Sequence, residues 1–327
     1  MTIRIGSGLV PFSKVVDRFM PGGYRDGVPL EEQLRLAKAM PGLDAIALDY
    51  PMQFENPAEM KTLLNQYGLE LCVLEMGIYG ERRWRNGSLA ATDPAVRREA
   101  VELVKRGMDV AAQMNVKEIL LWPGQDGFEY PFQSDHVKAW KRLVDGIGEA
   151  ADHRADIKIG IEYKPKEPRT RCHLDSAAKT LLLCETIDLP NVGVTVDLGH
   201  SLNAQENPGQ AIALSAQYGR LFQVHVNDNY GDWDSDLLVG QIHFWTTLEF
   251  FYWLDRLGFD GWYIMDFFPY REDGPAALAQ CIKNTHRFAA LAQKLAESPI
   301  EMMQEQGDPV AISELLWQQT VSPDVTR

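Results

Sequence analysis

The chain has 327 residues, of which 45% are hydrophobic, and a formal net charge of −14 at pH 7. This length suffices for one large core, and the acidic balance disfavours electrostatic binding of nucleic acid or of an anionic membrane. The four cysteines form no Cys-x-x-Cys pair, and no apolar run reaches the about eighteen residues of a membrane span. We therefore expect reduced thiols and a cytoplasmic location.

Short apolar runs, typical of strands buried on both faces, alternate with helical patterns along the chain. The predicted strands are, in order, Ile3–Gly8, Ala45–Tyr50, Leu69–Met76, Glu118–Trp122, Lys158–Glu162, Gly193–Asp197, Phe222–Val226 and Tyr263–Asp266. Pro94–Val116 is the clearest helix, with Asp93 as its expected N-cap, and Leu174–Ile187 and Pro275–Leu295 follow the same pattern. Eight such alternations predict an α/β protein built as a (β/α)8 TIM barrel. A doubly wound open sheet is the weaker alternative, because no Gly-x-Gly-x-x-Gly follows an early strand.

The C-terminal segment departs from this alternation. We expect residues 1–296 to form the barrel and residues 297–327 to form a helical extension. Within the extension, Pro299–Gln306 and Val310–Gln319 are predicted helices, and Val321–Arg327 is predicted to be frayed. The apolar residues of these helices predict docking on the barrel itself or on another subunit of a homo-oligomer.

Four predicted strands end in a residue of a type that binds metal ions, namely Glu162, Asp197, His225 and Asp266. A closed parallel barrel brings the carboxyl ends of its strands to one face, so we expect these four to converge. Carboxylate oxygens with one imidazole suit Mn²⁺, Mg²⁺ or Co²⁺ better than a thiolate-bound zinc ion. A single Asp or Glu at a strand end is more often a helix cap or a surface group than a metal ligand.

A second cluster of candidate ligands surrounds this set. His200 follows Asp197 by three residues, and Asp232 and Asp234 lie in an acidic loop after His225. We predict that His200, Asp232 and Asp234 bind a second ion and that Asp197 lies between the two ions. A solvated acidic loop is the alternative interpretation.

A cation and two aromatic residues stand next to the same strand ends. Lys164 follows Glu162 by two residues, so both side chains point to the same side of the strand. We predict that Lys164 binds a sugar hydroxyl or carbonyl oxygen. Trp122 and Phe267 are the best candidates for aromatic residues that contact a substrate.

Three motifs together resemble the xylose-isomerase-like barrel superfamily. They are Glu-Tyr-Lys-Pro-x-Glu-Pro from Glu162, Val-Asp-Leu-Gly-His from Val196, and His-x-Asn-Asp-x-Tyr-Gly-Asp-x-Asp from His225. Within the superfamily, the chain most resembles the bacterial L-rhamnose isomerase family. Loops 86–93 and 122–127 are also similar to loops of that family, and the resemblance covers about residues 45 to 290.

The resemblance implies a metal-dependent sugar isomerase, an intramolecular oxidoreductase that interconverts an aldose and a ketose at C1 and C2, usually with Mn²⁺. It assigns a structural ion to Glu162, Asp197, His225 and Asp266, and a catalytic ion to His200, Asp232 and Asp234. It also matches Lys164 to a lysine beside the first ligand and Trp122 to a tryptophan that faces the substrate. We further expect Lys164 and His200 to contact the substrate. In that family a histidine after the second strand helps to open the sugar ring. Here Asp49 occupies that position, so either Asp49 opens the ring or the substrate is already open-chain.

Several mechanisms and functions remain open at this stage. Hydrogen can move between C1 and C2 by a metal-assisted hydride shift, with Asp266 or Asp234 orienting the water, or by proton transfer through an enediol. Ketose 3-epimerases of this superfamily use two opposed glutamates on strands five and eight, whereas the strand-eight residue here is Asp266. An apurinic endonuclease would need a basic groove and many histidines, against the net charge of −14 and seven histidines found. A non-catalytic sugar-binding protein would not require converging ions.

Overall fold

The computed structural model describes residues 3–321, in which eight parallel strands close a barrel. The barrel strands are β1 (Arg4–Ser7), β2 (Ala45–Tyr50), β3 (Glu70–Met76), β4 (Glu118–Leu121), β6 (Lys158–Glu162), β8 (Val192–Asp197), β9 (Leu221–Val226) and β10 (Trp262–Met265). Each strand pairs with its neighbours in chain order, and β1 closes the ring by pairing with β10. The predicted (β/α)8 barrel is confirmed, and the open doubly wound sheet is excluded. An antiparallel pair that the sequence did not predict, β5 (Gly127–Phe128) with β7 (Arg171–Cys172), lies outside the barrel.

Helices connect the barrel strands and cover the barrel from outside. They are α1 (Leu30–Lys38), α2 (Pro57–Tyr67), α3 (Pro94–Gln113), α4 (His136–His153), α5 (Ala177–Ile187), α6 (Leu198–Asn203), α7 (Pro208–Gln217), α8 (Phe244–Arg256) and α9 (Gly274–Ala296). The predicted cap of α3 is confirmed, since the Asp93 carboxylate accepts a hydrogen bond from the amide of Ala95 at 2.8 Å. Because α6 begins directly after Asp197, the Asp197 side chain also caps that helix through the amide of His200 (2.7 Å).

The inside of the barrel is closely packed, which explains the near-continuous apolar sequence of its strands. Every residue of β8 is buried. Gly160 on β6 shows how tight the packing is. A Cβ atom at this position would come within 2.6 Å of Thr195 Oγ1, so a larger residue would force β6 and β8 apart.

The C-terminal extension forms α10 (Ile300–Gln306) and α11 (Pro309–Thr320), close to the predicted bounds. Ile300 and Leu315 are buried, and Trp317 packs edge-on against Trp245 of α8 with ring centroids 5.3 Å apart. The extension therefore docks on its own barrel. Residues 322–327 of the predicted frayed end lie outside the described residues.

Strand register places the candidate ligands at one level of the barrel. Asp197 and His225 are direct neighbours in the pairing of β8 with β9. Glu162 is the last residue of β6, and Asp266 follows the last residue of β10. All four thus stand at the carboxyl ends of their strands, on the face where this fold carries its active sites. Among residues 3–321, none of the helices is both long enough and apolar enough to span a bilayer.

Candidate metal centre and cavity

The four strand-end residues form one compact group. Each of Glu162, Asp197, His225 and Asp266 offers a ligand atom, and these atoms all lie within 4.8 Å of one another. His225 Nδ1 lies 3.2 Å from Glu162 Oε1 and 3.2 Å from Asp266 Oδ2. Its distance to Asp197 Oδ2 is 3.9 Å. The structure therefore brings together the four residues that the sequence predicted would converge.

The charges of this group fit a bound cation. Three carboxylates meet in a buried place, and such charges are costly unless positive charge compensates them. Burial alone would lower the pKa of His225, but Glu162 and Asp266 raise it well above its usual range. Glu162 Oε1 is buried without a hydrogen-bond partner. Oxygen-rich ligands with one imidazole suit Mn²⁺, Mg²⁺ or Co²⁺, so the group can hold one such ion.

Two neighbouring amides orient these ligands. His225 Nε2 lies 2.9 Å from the Gln223 side-chain oxygen, which accepts its proton and leaves Nδ1 free to face the carboxylates. Asn227 Nδ2 donates to Asp197 Oδ2 at 2.9 Å and to the backbone carbonyl of Asp266 at 2.8 Å. Since Asn227 bonds to groups from two strands, it fixes the distance between these two ligands.

His200, Asp234 and Lys164 form a second charged cluster beside the first. His200 Nδ1 lies 3.2 Å from Glu162 Oε1, and its Nε2 lies 3.0 Å from Asp234 Oδ2. Lys164 Nζ lies 2.8 Å from the same Asp234 oxygen and 2.5 Å from Glu167. Burial alone would raise the pKa of Asp234, but His200 and Lys164 hold it well below its usual range. Lys164 stays charged for the same reason, because Asp234 and Glu167 outweigh its burial and raise its pKa.

Of the three residues predicted to bind a second ion, His200 and Asp234 lie together, whereas Asp232 does not line the cavity. Asp232 is exposed to solvent, and its backbone carbonyl accepts a hydrogen bond from Lys166 Nζ at 2.5 Å. The role of Asp232 as a ligand of a second ion stays a prediction. The Asp234 carboxylate pairs with the Lys164 ammonium. Within residues 3–321, the Glu162 group is the one place where at least three His, Cys, Asp or Glu side chains converge.

A cavity of about 900 Å³ opens above the ion group. Its floor includes Glu162, His225 and Asp266, and Lys164 and Trp122 line its wall. The Lys164 ammonium lies 5.3 Å from the centre of the Trp122 ring, and Tyr79 packs edge-on against Trp122 with ring centroids 4.9 Å apart. The expected places of Trp122, Lys164 and His200 at the cavity agree with the structure.

Two predicted site residues lie elsewhere. Phe267 is buried in the core and does not line the cavity, because neighbouring side chains alternate in direction and Asp266 points inward. Phe268 lines the cavity in its place. Asp49 is not among the lining residues either, and its Oδ1 accepts a hydrogen bond from the Tyr79 hydroxyl at 2.7 Å.

Sequence reasoning missed two carboxylates that line the cavity, Glu75 and Asp236. Burial raises the pKa of Glu75 well above its usual range, with Asp49 and Asp266 adding to the shift. Burial does the same for Asp236, and Asp234 and Asp266 add to it. Glu75 is the next-to-last residue of β3. A search for acidic residues and histidines at strand ends, which identified the four candidate ligands, would therefore have identified Glu75 as well.

A buried carboxylate, Asp126, joins two loops on the side of the barrel that carries Trp122. Asp126 accepts hydrogen bonds from the amides of Ser88 (2.8 Å), Leu89 (3.1 Å) and Ala90 (2.8 Å), and from the Ser88 hydroxyl (2.6 Å). It thereby ties the loop after Trp122 to the loop before α3. Both loops belong to the segments whose sequence resembled the same family.

Comparison with known proteins supports this architecture. The solved structure of an L-ribulose 3-epimerase superposes with a TM-score of 0.71 at 17% identity, covering 90% of this chain and 97% of its own. A D-tagatose 3-epimerase-like protein gives a TM-score of 0.66 at 19% identity, with coverage of 90% and 100%. A 3-keto-D-glucoside 4-epimerase from E. coli gives 0.65 at 19% identity, with coverage of 88% and 99%. At these identities the likeness establishes the fold. The profile of the xylose isomerase-like TIM barrel family matches residues 34–285, and the chain belongs to that family.

Proposed function

We propose that this protein is a metal-dependent sugar epimerase that inverts a carbon next to a ketone. The observation that carries the proposal is the convergence of Glu162, Asp197, His225 and Asp266, three of which form the floor of one cavity, namely Glu162, His225 and Asp266. Inversion next to a ketone needs a cation near the carbonyl oxygen and two proton carriers near the carbon. This group offers both. The similar structures, which are described as ketose 3-epimerases and a keto-glucoside 4-epimerase, support the choice.

One divalent ion, held by the four residues, would polarise the ketone and thereby acidify the neighbouring carbon. Glu162 and Asp266 then act as the proton carriers. They belong to β6 and β10, which are separated in the barrel by β8 and β9, so they approach the substrate from different sides. One carboxylate takes the proton from one face of the carbon, and the other carboxyl group returns a proton to the opposite face. In the reverse reaction the two groups exchange roles.

Lys164 positions the sugar beside these carriers. Its side chain is 13% exposed, and its ammonium is held by Asp234 and Glu167 at the cavity wall. A fixed, charged donor of this kind binds a hydroxyl or carbonyl oxygen without reorganisation. Trp122, beneath the ammonium, offers an apolar face for the carbon side of the sugar ring.

Aldose–ketose isomerisation, the function that the sequence resemblance implied, is the second candidate. The observation that favours it is the cluster of His200, Asp234 and Lys164 directly beside Glu162, which adds polar groups that an epimerase does not require. A single ion and the two strand-end carboxylates serve epimerisation without this cluster. We therefore place epimerisation first. A cytoplasmic location and a homo-oligomeric state stay predictions.

The test is an isotope experiment on a panel of sugars. The Mn²⁺-loaded protein is incubated in D₂O with free ketoses, such as L-ribulose, D-tagatose and D-allulose, and with keto-sugars whose anomeric carbon is blocked. We expect NMR to show deuterium on the carbon beside the ketone together with the inverted sugar. Formation of an aldose would favour the second candidate. Absence of both exchange and product across the panel would contradict both, and Asp197→Asn serves as the inactive control.

A further inference from the structure

We infer that the cavity takes a keto-sugar in which the anomeric carbon carries a second, uncharged group, that is, a glycoside. The inference rests on the proposed function and names its substrate class. It comes from the outer half of the cavity, which lies beyond the ion group and the proton carriers.

The size of the cavity is the first observation. Its volume of about 900 Å³ stands near the upper end of the range of about 300–1,000 Å³ for pockets that enclose drug-sized ligands. A single sugar ring at the ion group fills only a minor part of such a volume. The remaining space extends to the β1–α1 loop, where Asp17, Arg18 and Phe19 line it.

The second observation is the aromatic character of the mouth. Phe19 is 75% exposed and Trp233 is 40% exposed, although both line the cavity. Phe268 and Tyr270 stack on the same rim, with ring centroids 6.3 Å apart and an angle of 25° between the planes. Exposed aromatic faces around a cavity offer stacking surfaces for a ring. The mouth thus provides a place for a ring next to the sugar that reacts.

The loop that carries Phe19 has a defined structure. The Asp17 carboxylate accepts hydrogen bonds from the amides of Phe19 (2.8 Å) and Met20 (2.7 Å) and from the Tyr24 hydroxyl (2.8 Å). Tyr24 in turn packs edge-on against Tyr270, with ring centroids 5.1 Å apart. The loop is therefore tied both to itself and to the opposite rim, which holds Phe19 at the mouth.

The side chains at the mouth favour an uncharged second group. Lys164 is already paired with Asp234 and Glu167, and Arg18 lies over the Phe19 ring at 4.7 Å. The Asp17 carboxylate lines the cavity next to Arg18, so a phosphate at the mouth would meet a negative charge beside the cation. The second group is accordingly neutral, such as an aromatic aglycone or another sugar.

A glycoside is also compatible with the proton transfer proposed for the carboxylates at the floor of the cavity. Its anomeric carbon is locked, so the ring stays closed and no ring-opening group is needed. Asp49, which stands where the resembling family has its ring-opening histidine, does not line the cavity. In the reaction one C–H bond beside the ketone breaks, and a C–H bond of opposite configuration forms. The proton leaves to one carboxylate and returns from the other, the glycosidic bond stays intact, and no oxidant is consumed.

The test compares three probes with the Mn²⁺-loaded protein: free 3-keto-D-glucose, its methyl β-glycoside and its phenyl β-glycoside. We expect kcat/KM for deuterium exchange beside the ketone to be about tenfold or more higher for the phenyl glycoside than for the free sugar. Phe19→Ala and Trp233→Ala should each reduce this ratio by about tenfold. Phe132→Ala removes a fully exposed aromatic ring outside the cavity and should change none of the rates.

The two proposals fail in different ways. Equal kcat/KM for the three probes, with a ratio unaffected by Trp233→Ala, would overturn the glycoside inference and leave the epimerase standing. No exchange with any probe or free ketose would overturn the epimerase. In that case calorimetry with phenyl β-D-glucoside and D-glucose, which needs no turnover, still decides the inference. Tighter binding of the phenyl glucoside that is lost in Trp233→Ala supports it, and equal binding of both contradicts it.

Discussion

The two halves of the barrel contribute differently to the site. Each of the four barrel strands of the second half, β6, β8, β9 and β10, carries one residue of the candidate ion-binding group at or next to its carboxyl end. At the same level, the first half, β1 to β4, supplies Glu75 and the loop residues Tyr79 and Trp122 to the cavity wall and none of the four ligands. The residues that could hold an ion thus come from one half of the barrel, and the other half and the loops shape the cavity wall. Four substitutions, given in order of decreasing expected effect, test this difference between the two halves.

The largest effect is expected from a ligand of the second half. His225→Ala removes the only nitrogen of the four-residue group, so the ion is lost and kcat/KM falls by at least about a thousandfold, or about 4 kcal/mol. Metal content after gel filtration and the rate of exchange check this. Asp232→Asn is the matched control, an exposed acidic residue of the following loop, and should keep both ion and activity. Loss of the ion in the control would show that Asp232 is a ligand after all.

The second largest effect is expected in the first half, where substitution of Asp126 should lower the free energy of unfolding. Asp126→Ala leaves the amides of Ser88, Leu89 and Ala90 without their acceptor, at an expected cost of about 3 kcal/mol in the free energy of unfolding. Urea denaturation measures it. Asp135→Ala, which removes an exposed cap of α4, should cost only about 1 kcal/mol. Equal losses of stability in the two variants would mean that Asp126 does not hold the loop after Trp122 to the loop before α3.

A substitution of Lys164 can distinguish substrate binding from ion binding in the second half. Lys164→Met removes the ammonium from the cavity wall and should lower kcat/KM by about a hundredfold while the affinity for Mn²⁺ stays nearly unchanged. Lys166→Met is the matched control, because Lys166 bonds to a backbone carbonyl outside the cavity. Steady-state kinetics and Mn²⁺ titration distinguish the two roles. A drop in ion affinity in Lys164→Met would place Lys164 in the metal centre instead.

The smallest effect on stability is expected in the first half at Glu118, at the amino end of β4 and thus away from the cavity. Glu118 begins β4, its Oε1 is buried without a hydrogen-bond partner, and burial raises its pKa to about 7 against the opposing effect of Lys158. The folded protein therefore keeps this proton at pH values where the unfolded chain, with a pKa near 4.5, has released it. Stability contributed by this group falls as pH rises from about 4.5 to about 7 and is constant above that. The loss is on the order of 1–3 kcal/mol, since Glu118 is partly exposed.

Glu118→Gln checks this pH dependence. The variant should gain stability over the wild type at pH 8 and lose the advantage at pH 4, because the amide resembles the protonated acid. Thermal unfolding at both pH values provides the measurement. The same gain at both values would show that packing, not ionisation, limits stability at this position.

The sequence predicted the second half of the site better than the first. Ion ligands must be of a few residue types and must follow a strand, so Glu162, Asp197, His225 and Asp266 were recognisable from type and position alone. Apolar runs and caps such as Asp93 likewise predicted the barrel, since strands buried on both faces need them. Which residues of a loop face a cavity depends on the path of that loop in three dimensions. For this reason Phe267 was misplaced, and Asp236 and Phe19 were missed.

The location of bound Mn²⁺ is the most direct test of a single-ion centre. A crystal of the protein soaked in Mn²⁺ and measured at the manganese absorption edge gives an anomalous difference map that shows every bound Mn²⁺ ion. We predict one peak, between Glu162, Asp197, His225 and Asp266. No peak there, or a peak of equal height between His200 and Asp234 where the Lys164 ammonium now lies, would contradict a single-ion centre supplied by the second half of the barrel.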